Sequence, residues 1–79
     1  MKILKLLATC IHICIKTKNN ILKDLLYNFA KNHIDKNKMI FLYIKIASIN
    51  EKTEFYKIMK KWIITHQAKI IQQLLYYNL

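Results

Sequence analysis

Cys10, His12 and Cys14 carry residue types that bind metal, at alternate positions of one short run. Zinc takes four ligands, commonly from paired C-x2-C clusters. Alternating side chains converge only on a strand face; on a helix, Cys10 and Cys14 lie one turn apart and His12 turns away. A fourth ligand would have to be His33 or His66, and no spacing marks either. The three residues are therefore read as two small packed thiols and one histidine, with no metal and no cofactor expected. Two cysteines are too few for a disulfide framework and fit a reducing compartment.

Acid–base chemistry has little to draw on. The acids are Asp24, Asp35, Glu51 and Glu54, and the serine inventory is Ser48 alone. Asp24, Glu51 and Glu54 read as ordinary helix-start charges. Cys–His nucleophilic catalysis needs a pre-organised scaffold. A chain of 79 residues without glycine holds no phosphate-cradling glycine loop and is too short for the large catalytic folds. The expected protein is not an enzyme.

The lysines say more. Fourteen lysines, no arginine and four acids leave a formal charge of +10. Such an excess repels itself, and an acidic partner removes the repulsion. A lysine is a point charge without the planar fork that reads guanine edges, so a lysine-only protein suits phosphate neutralisation better than sequence reading. Lys16 with Lys18, Lys36 with Lys38, and Lys60 with Lys61 sit at or near segment junctions and are the expected RNA-binding residues. Tyr56, Tyr76 and Tyr77 offer faces for base stacking, although aromatics at helical spacing more often pack.

Phe, Tyr, Met, Ile, Asn and Lys make up 47 of the 79 residues, and valine, glycine, proline and arginine are absent. This is the mark of strongly AT-biased coding. The shortage of acids is not explained by that bias, because Asp and Glu codons tolerate it. An organelle genome fits the bias, and the N-terminus lacks the Arg- and Ser-rich character of an import presequence. The apolar stretch from Leu6 to Ile15 is interrupted by His12 and followed by Lys16 and Lys18, unlike a secretory signal. Met39 to Ile49 is too short to span a bilayer and carries Lys45.

The elements that position these residues must be found without glycine or proline. Breaks fall at residues 16–20, 32–38 and 48–50, which are rich in Lys, Asn, Asp and Ser. Ile21, Leu22, Leu25, Leu26 and Phe29 predict a helix over 21–31, capped by Asn20. Residues 51–77 predict a long amphipathic helix, capped by Ser48 or Asn50. Its core stripe is Phe55, Met59, Trp62, Ile63, His66, Ile70, Leu74 and Tyr77, with Lys57, Lys61, Thr65, Lys69 and Gln72 largely opposite. Ile64, Ile71 and Leu75 form a second apolar strip, the expected protein interface.

Segments 3–17 and 39–49 are ambiguous. Leu4, Leu7, Ile11 and either Cys14 or Ile15 give a helical stripe, whereas Ile11, Ile13 and Ile15 alternate as in a strand. The expected fold is all-α, a single domain (1–79) of three to four helices that is not independently stable outside its assembly. The alternative is α+β with short strands near 9–17 and 39–47.

The functional expectation is a structural subunit of a large ribonucleoprotein, an organelle-encoded mitochondrial ribosomal protein with rRNA and neighbouring assembly proteins as partners. The alternative is an accessory subunit of a mitochondrial membrane-bound respiratory complex, with peripheral membrane contact. A small viral or plasmid DNA-binding protein is a third reading, but the connection before Met39 has no helix-turn-helix signature.

Overall fold

Short polar side chains (Asn19, Asp35 and Thr53) cap the helix starts of this chain after the first. The computed structural model describes residues 2–77, and among them it contains four helices and no strand. They are α1 (Lys2–Lys16), α2 (Asn20–His33), α3 (Lys36–Ala47) and α4 (Glu54–Tyr77). Asn19 rather than Asn20 caps α2, its side-chain oxygen accepting the Leu22 N–H at 3.3 Å. Asp35 Oδ1 accepts the Lys38 N–H at 2.9 Å at the start of α3.

The alternation over 9–17 belongs to a helix, so the α+β alternative does not form. A strand would put Ile11, Ile13 and Ile15 on one face. Instead Ile11 and Ile13 are fully buried and Ile15 is exposed. Leu4, Leu7, Ala8, Ile11 and Cys14 form the inner stripe of α1, and Thr9 and Ile13 are covered as well. A helix apolar on several sides needs neighbours on several sides; α1 packs against α2, α3 and α4. Buried Thr9 is satisfied by donating its hydroxyl to the Lys5 carbonyl at 2.7 Å. Residues 39–47 are likewise helical, with Leu42 and Ile46 one turn apart facing inward.

With no glycine available, one turn is made by an unusual residue. The Asn19 N–H donates to the Cys14 carbonyl at 2.9 Å, and the Lys18 N–H to the Ile15 carbonyl at 3.3 Å. This is a Schellman closure of α1, which asks its penultimate residue for a left-handed backbone. Lys18 supplies it at φ 58°, the single positive φ among the described residues. A side chain there costs energy that glycine would not. Lys18→Gly is expected to stabilise the chain by about 0.5–1 kcal/mol in urea denaturation. A destabilised variant would show that the lysine side chain makes a contact that outweighs the strain.

The last helix differs in detail from the sequence expectation. It begins at Glu54, not Glu51, and its cap is Thr53: Oγ1 accepts the Tyr56 N–H at 3.2 Å and donates to the Asn50 carbonyl at 3.1 Å. Asn50 caps nothing in α4; its Oδ1 closes a local turn onto the Lys52 N–H. Ser48 instead ends α3. The inner face of α4 is centred on Tyr56, Ile63 and Leu74, while Phe55 and Trp62, placed inside by periodicity, are exposed. The helix kinks at His66 (φ −114°, ψ 19°). Two side chains there bond back to the preceding turn: His66 Nδ1 to the Trp62 carbonyl at 3.0 Å, and Thr65 Oγ1 to the Lys61 carbonyl at 2.8 Å. Such competition for helix carbonyls bends helices without proline. Before the kink, α4 meets α1, through His12 and Tyr56; beyond it, Tyr77 packs edge-on against Phe29 of α2 at 6.4 Å. The Cα radius of gyration, 11.9 Å, is that of a folded domain of this length.

Candidate nucleic-acid interface

The metal-like triplet is not assembled as a triplet. Cys14 is buried, Cys10 is largely covered, and His12 turns away to Tyr56, its Nδ1 3.1 Å from the phenol oxygen and the rings edge-on at 5.4 Å. Among the described residues no group of three or more His, Cys, Asp and Glu side chains is gathered at ligating distance. Both cysteines are free. Burial, reinforced by neighbouring Cys14, pushes the Cys10 thiol up to about 12, and burial pushes Cys14 up to about 11. These are packed thiols, poor nucleophiles and poor ligands in the folded chain.

His12 and Tyr56 begin a short polar chain at the outer end of α1. Burial and then the Glu51 carboxylate hold the Tyr56 phenol above its ordinary value. Glu51 in turn lies 3.8 Å from the Lys16 ammonium. Glu51 thus links the 51–53 turn to α1 instead of serving as a helix-start charge, because α4 begins only at Glu54. Tyr56 is one of the most covered side chains, so it cannot offer a face for stacking; Tyr76 and Tyr77 are exposed.

The six lysines singled out by spacing lie on three separate stretches. Lys16 ends α1 and Lys18 sits in the left-handed turn after it. Lys36 and Lys38 occupy the first turn of α3. Lys60 and Lys61 lie inside α4 rather than at a junction, because that helix runs on to Tyr77. Five of the six are exposed and Lys38 is half-covered. Lysines in the first turn of a helix oppose its dipole, so Lys36 and Lys38 do not help α3 form. Among the described residues Lys16 and Lys23 alone stand within 4.0 Å of a carboxylate. Most of the positive charge has no internal counter-charge.

Of the predicted interface strip, Ile64 and Leu75 are exposed and Ile71 is half-buried. Ile71 and Leu75 line a shallow groove of about 310 Å³ with Ile21 and Leu25 of α2; Ile64 is not part of it. A further apolar stripe, Phe55, Ile58 and Trp62, runs along the first half of α4 at the spacing of one helix face.

Two lysines that spacing did not single out come together. Lys5 of α1 and Lys45 of α3 line a pocket of about 340 Å³, with Thr9, Ser48, Ile49, Asn50, Thr53, Phe55 and Tyr56. Their separation of forty positions hides the pairing in the sequence. The only hint is that Lys45 interrupts an otherwise apolar run.

Compared with family models, curated proteins and solved structures, the chain matches none.

Proposed function

We propose that this chain is a structural, non-catalytic subunit of a large ribonucleoprotein assembly, an organelle-encoded protein of a mitochondrial ribosome. Its lysines neutralise rRNA phosphates and its uncovered apolar helix faces dock on neighbouring proteins. The observation that carries the reading is a double excess. The net charge is +10 with few internal ion pairs, and among the described residues fifteen large apolar side chains are exposed against fourteen buried hydrophobic ones. Monomeric proteins rarely leave apolar surface on that scale uncovered, and like charge on that scale calls for an acidic partner.

The test is RNA affinity as a function of salt. Binding to single-stranded RNA should weaken with a log–log slope of about −0.7 per phosphate contacted, so engagement of the six predicted lysines gives a slope near −4. Replacing Lys16, Lys18, Lys36, Lys38, Lys60 and Lys61 with glutamine should flatten that slope. Tight association with protein subunits and no affinity for RNA would refute the reading.

A second reading is favoured by one feature, the Phe55, Ile58 and Trp62 stripe with Lys57 and Lys61 beside it on the same helix. Aromatic and aliphatic side chains next to lysines are the pattern of a helix lying in a membrane interface. In this reading the chain is an accessory subunit of a mitochondrial respiratory complex. Among the described residues no helix is long and apolar enough to cross a membrane, and the contact would be with anionic headgroups. Co-sedimentation with cardiolipin vesicles in preference to rRNA would favour it.

A further inference from the structure

The pocket between α1, α3 and the 48–53 connection is an unbalanced electrostatic environment. Lys5 and Lys45 both line it, and none of its lining residues is an acid. The Lys5 ammonium stands 5.4 Å from the centroid of the Phe55 ring, which places that exposed charge beside the pocket wall. Lys45 is half-buried and has no carboxylate within 4.0 Å among the described residues. Two like charges lining one open pocket, Lys5 exposed and Lys45 half-buried, repel. An anion between them removes that penalty.

The backbone around the pocket agrees with this. Thr53, the cap of α4, and Phe55 in its first turn both line it, so the positive end of the α4 dipole borders the site, partly offset by the Glu54 carboxylate between them. The end of α3 also reaches the pocket, where the Ile44 and Lys45 carbonyls are occupied by Ser48. The Ser48 N–H donates to the Ile44 and Lys45 carbonyls, both at 3.1 Å, and the Ser48 hydroxyl to the Lys45 carbonyl at 3.2 Å. Phe55 adds an exposed aromatic face beside the charge, of the kind on which a nucleobase stacks.

We infer that this pocket binds a phosphate group between Lys5 and Lys45, carried by a polynucleotide backbone with a base against Phe55. Only the source of the phosphate rests on the reading of the chain as an RNA-contacting subunit; the anion site rests on the pocket. Phosphate suits lysine: a point charge needs no planar match, and the two non-bridging oxygens of a phosphodiester can each meet one ammonium.

The experiment uses the full chain. A labelled oligouridylate is titrated against wild type, against Lys5→Gln/Lys45→Gln, and against Lys57→Gln/Lys69→Gln, which loses equal charge outside the pocket. The pocket pair is expected to lose at least tenfold in affinity and to flatten the salt slope by about 1.4, two contacts' worth. The control pair should change affinity less than threefold. Equal losses in both pairs would overturn the pocket while leaving RNA binding in place.

A second measurement does not depend on variants that fold. Amide chemical shifts of the wild-type chain are followed with inorganic phosphate alone and with the oligonucleotide. Perturbations centred on Ser48, Asn50 and Thr53 support the site. Shifts with inorganic phosphate but no oligonucleotide binding keep the anion site and refute the RNA source. Pocket-dependent binding to phosphatidylglycerol vesicles without RNA binding assigns the phosphate to a lipid and overturns the polynucleotide. No localised shift with either probe overturns the site itself.

Discussion

Ile11→Ala should remove between a quarter and most of the folding stability of this chain, about 2–5 kcal/mol, while Ile15→Ala, four residues on, should pass almost unnoticed. Ile11 is completely buried on the helix that touches all three others, and Ile15 is 45% exposed at the end of the same helix. Removing a buried isoleucine to its β-carbon costs about 2–5 kcal/mol, combining lost transfer energy with the cavity left behind. A domain of this size has roughly 4–12 kcal/mol in total. A loss of about 3 kcal/mol shifts the melting temperature down by about 15–20 °C. Chemical denaturation of the two variants beside Ile13→Ala also tests the fold itself. In the helix, Ile11 and Ile13 are both sensitive and Ile15 is not. Equal sensitivity at all three positions would restore the strand reading of 9–17.

The second large effect concerns the two thiols. An ordinary cysteine of value 9.0 is about one-tenth thiolate near pH 8, whereas a thiol held at about 12 is ionised to about one part in ten thousand. Alkylation of folded Cys10 by iodoacetamide should therefore be about 10³-fold slower than in urea, and that of Cys14, held at about 11, about 10²-fold slower. Mass spectrometry of partly labelled chain reads both rates. Labelling as fast in the native chain as in urea would show that α1 opens readily.

The same burial links thiol ionisation to stability at high pH. The unfolded thiols release protons near 9.0 and the folded ones only near 11 and 12, so between these values the unfolded chain binds fewer protons. Stability contributed by the neutral buried thiols is whole below about pH 9 and falls as pH rises towards 11–12, by a few kcal/mol in all. Cys10→Ala/Cys14→Ala tests this: the variant is less stable at neutral pH, and its stability should fall less steeply above pH 9 than that of the parent chain. A decline of the same slope in that variant would assign alkaline unfolding to other groups.

Helix class and approximate boundaries were legible because they rest on local chemistry. Ile21, Leu22, Leu25, Leu26 and Phe29 keep helical spacing, and the absence of glycine argues against tight hairpins. The ambiguous stretch 9–17 was not legible for a physical reason. A helix buried on most sides shows apolar residues at nearly every spacing, strand-like alternation included. The cap of α4 was missed because several polar residues precede it, and backbone geometry chose Thr53 over Ser48 and Asn50. The left-handed turn at Lys18 gave no warning either, since the residue that normally marks it is absent.

The functional surface divides in the same way. Composition alone determined that positive charge exceeds what four acids can pair, and that apolar residues exceed what a short chain can cover. Both are sums over residues and need no coordinates. Which residues are left over was decided only by tertiary packing. Periodicity cannot say which of several apolar stripes on α4 turns inward; the docking of Tyr56 against His12 and the kink at His66 put Ile63 inside and left Phe55 and Trp62 out. Lys5 and Lys45, forty residues apart, became one site because α3 packs on α1.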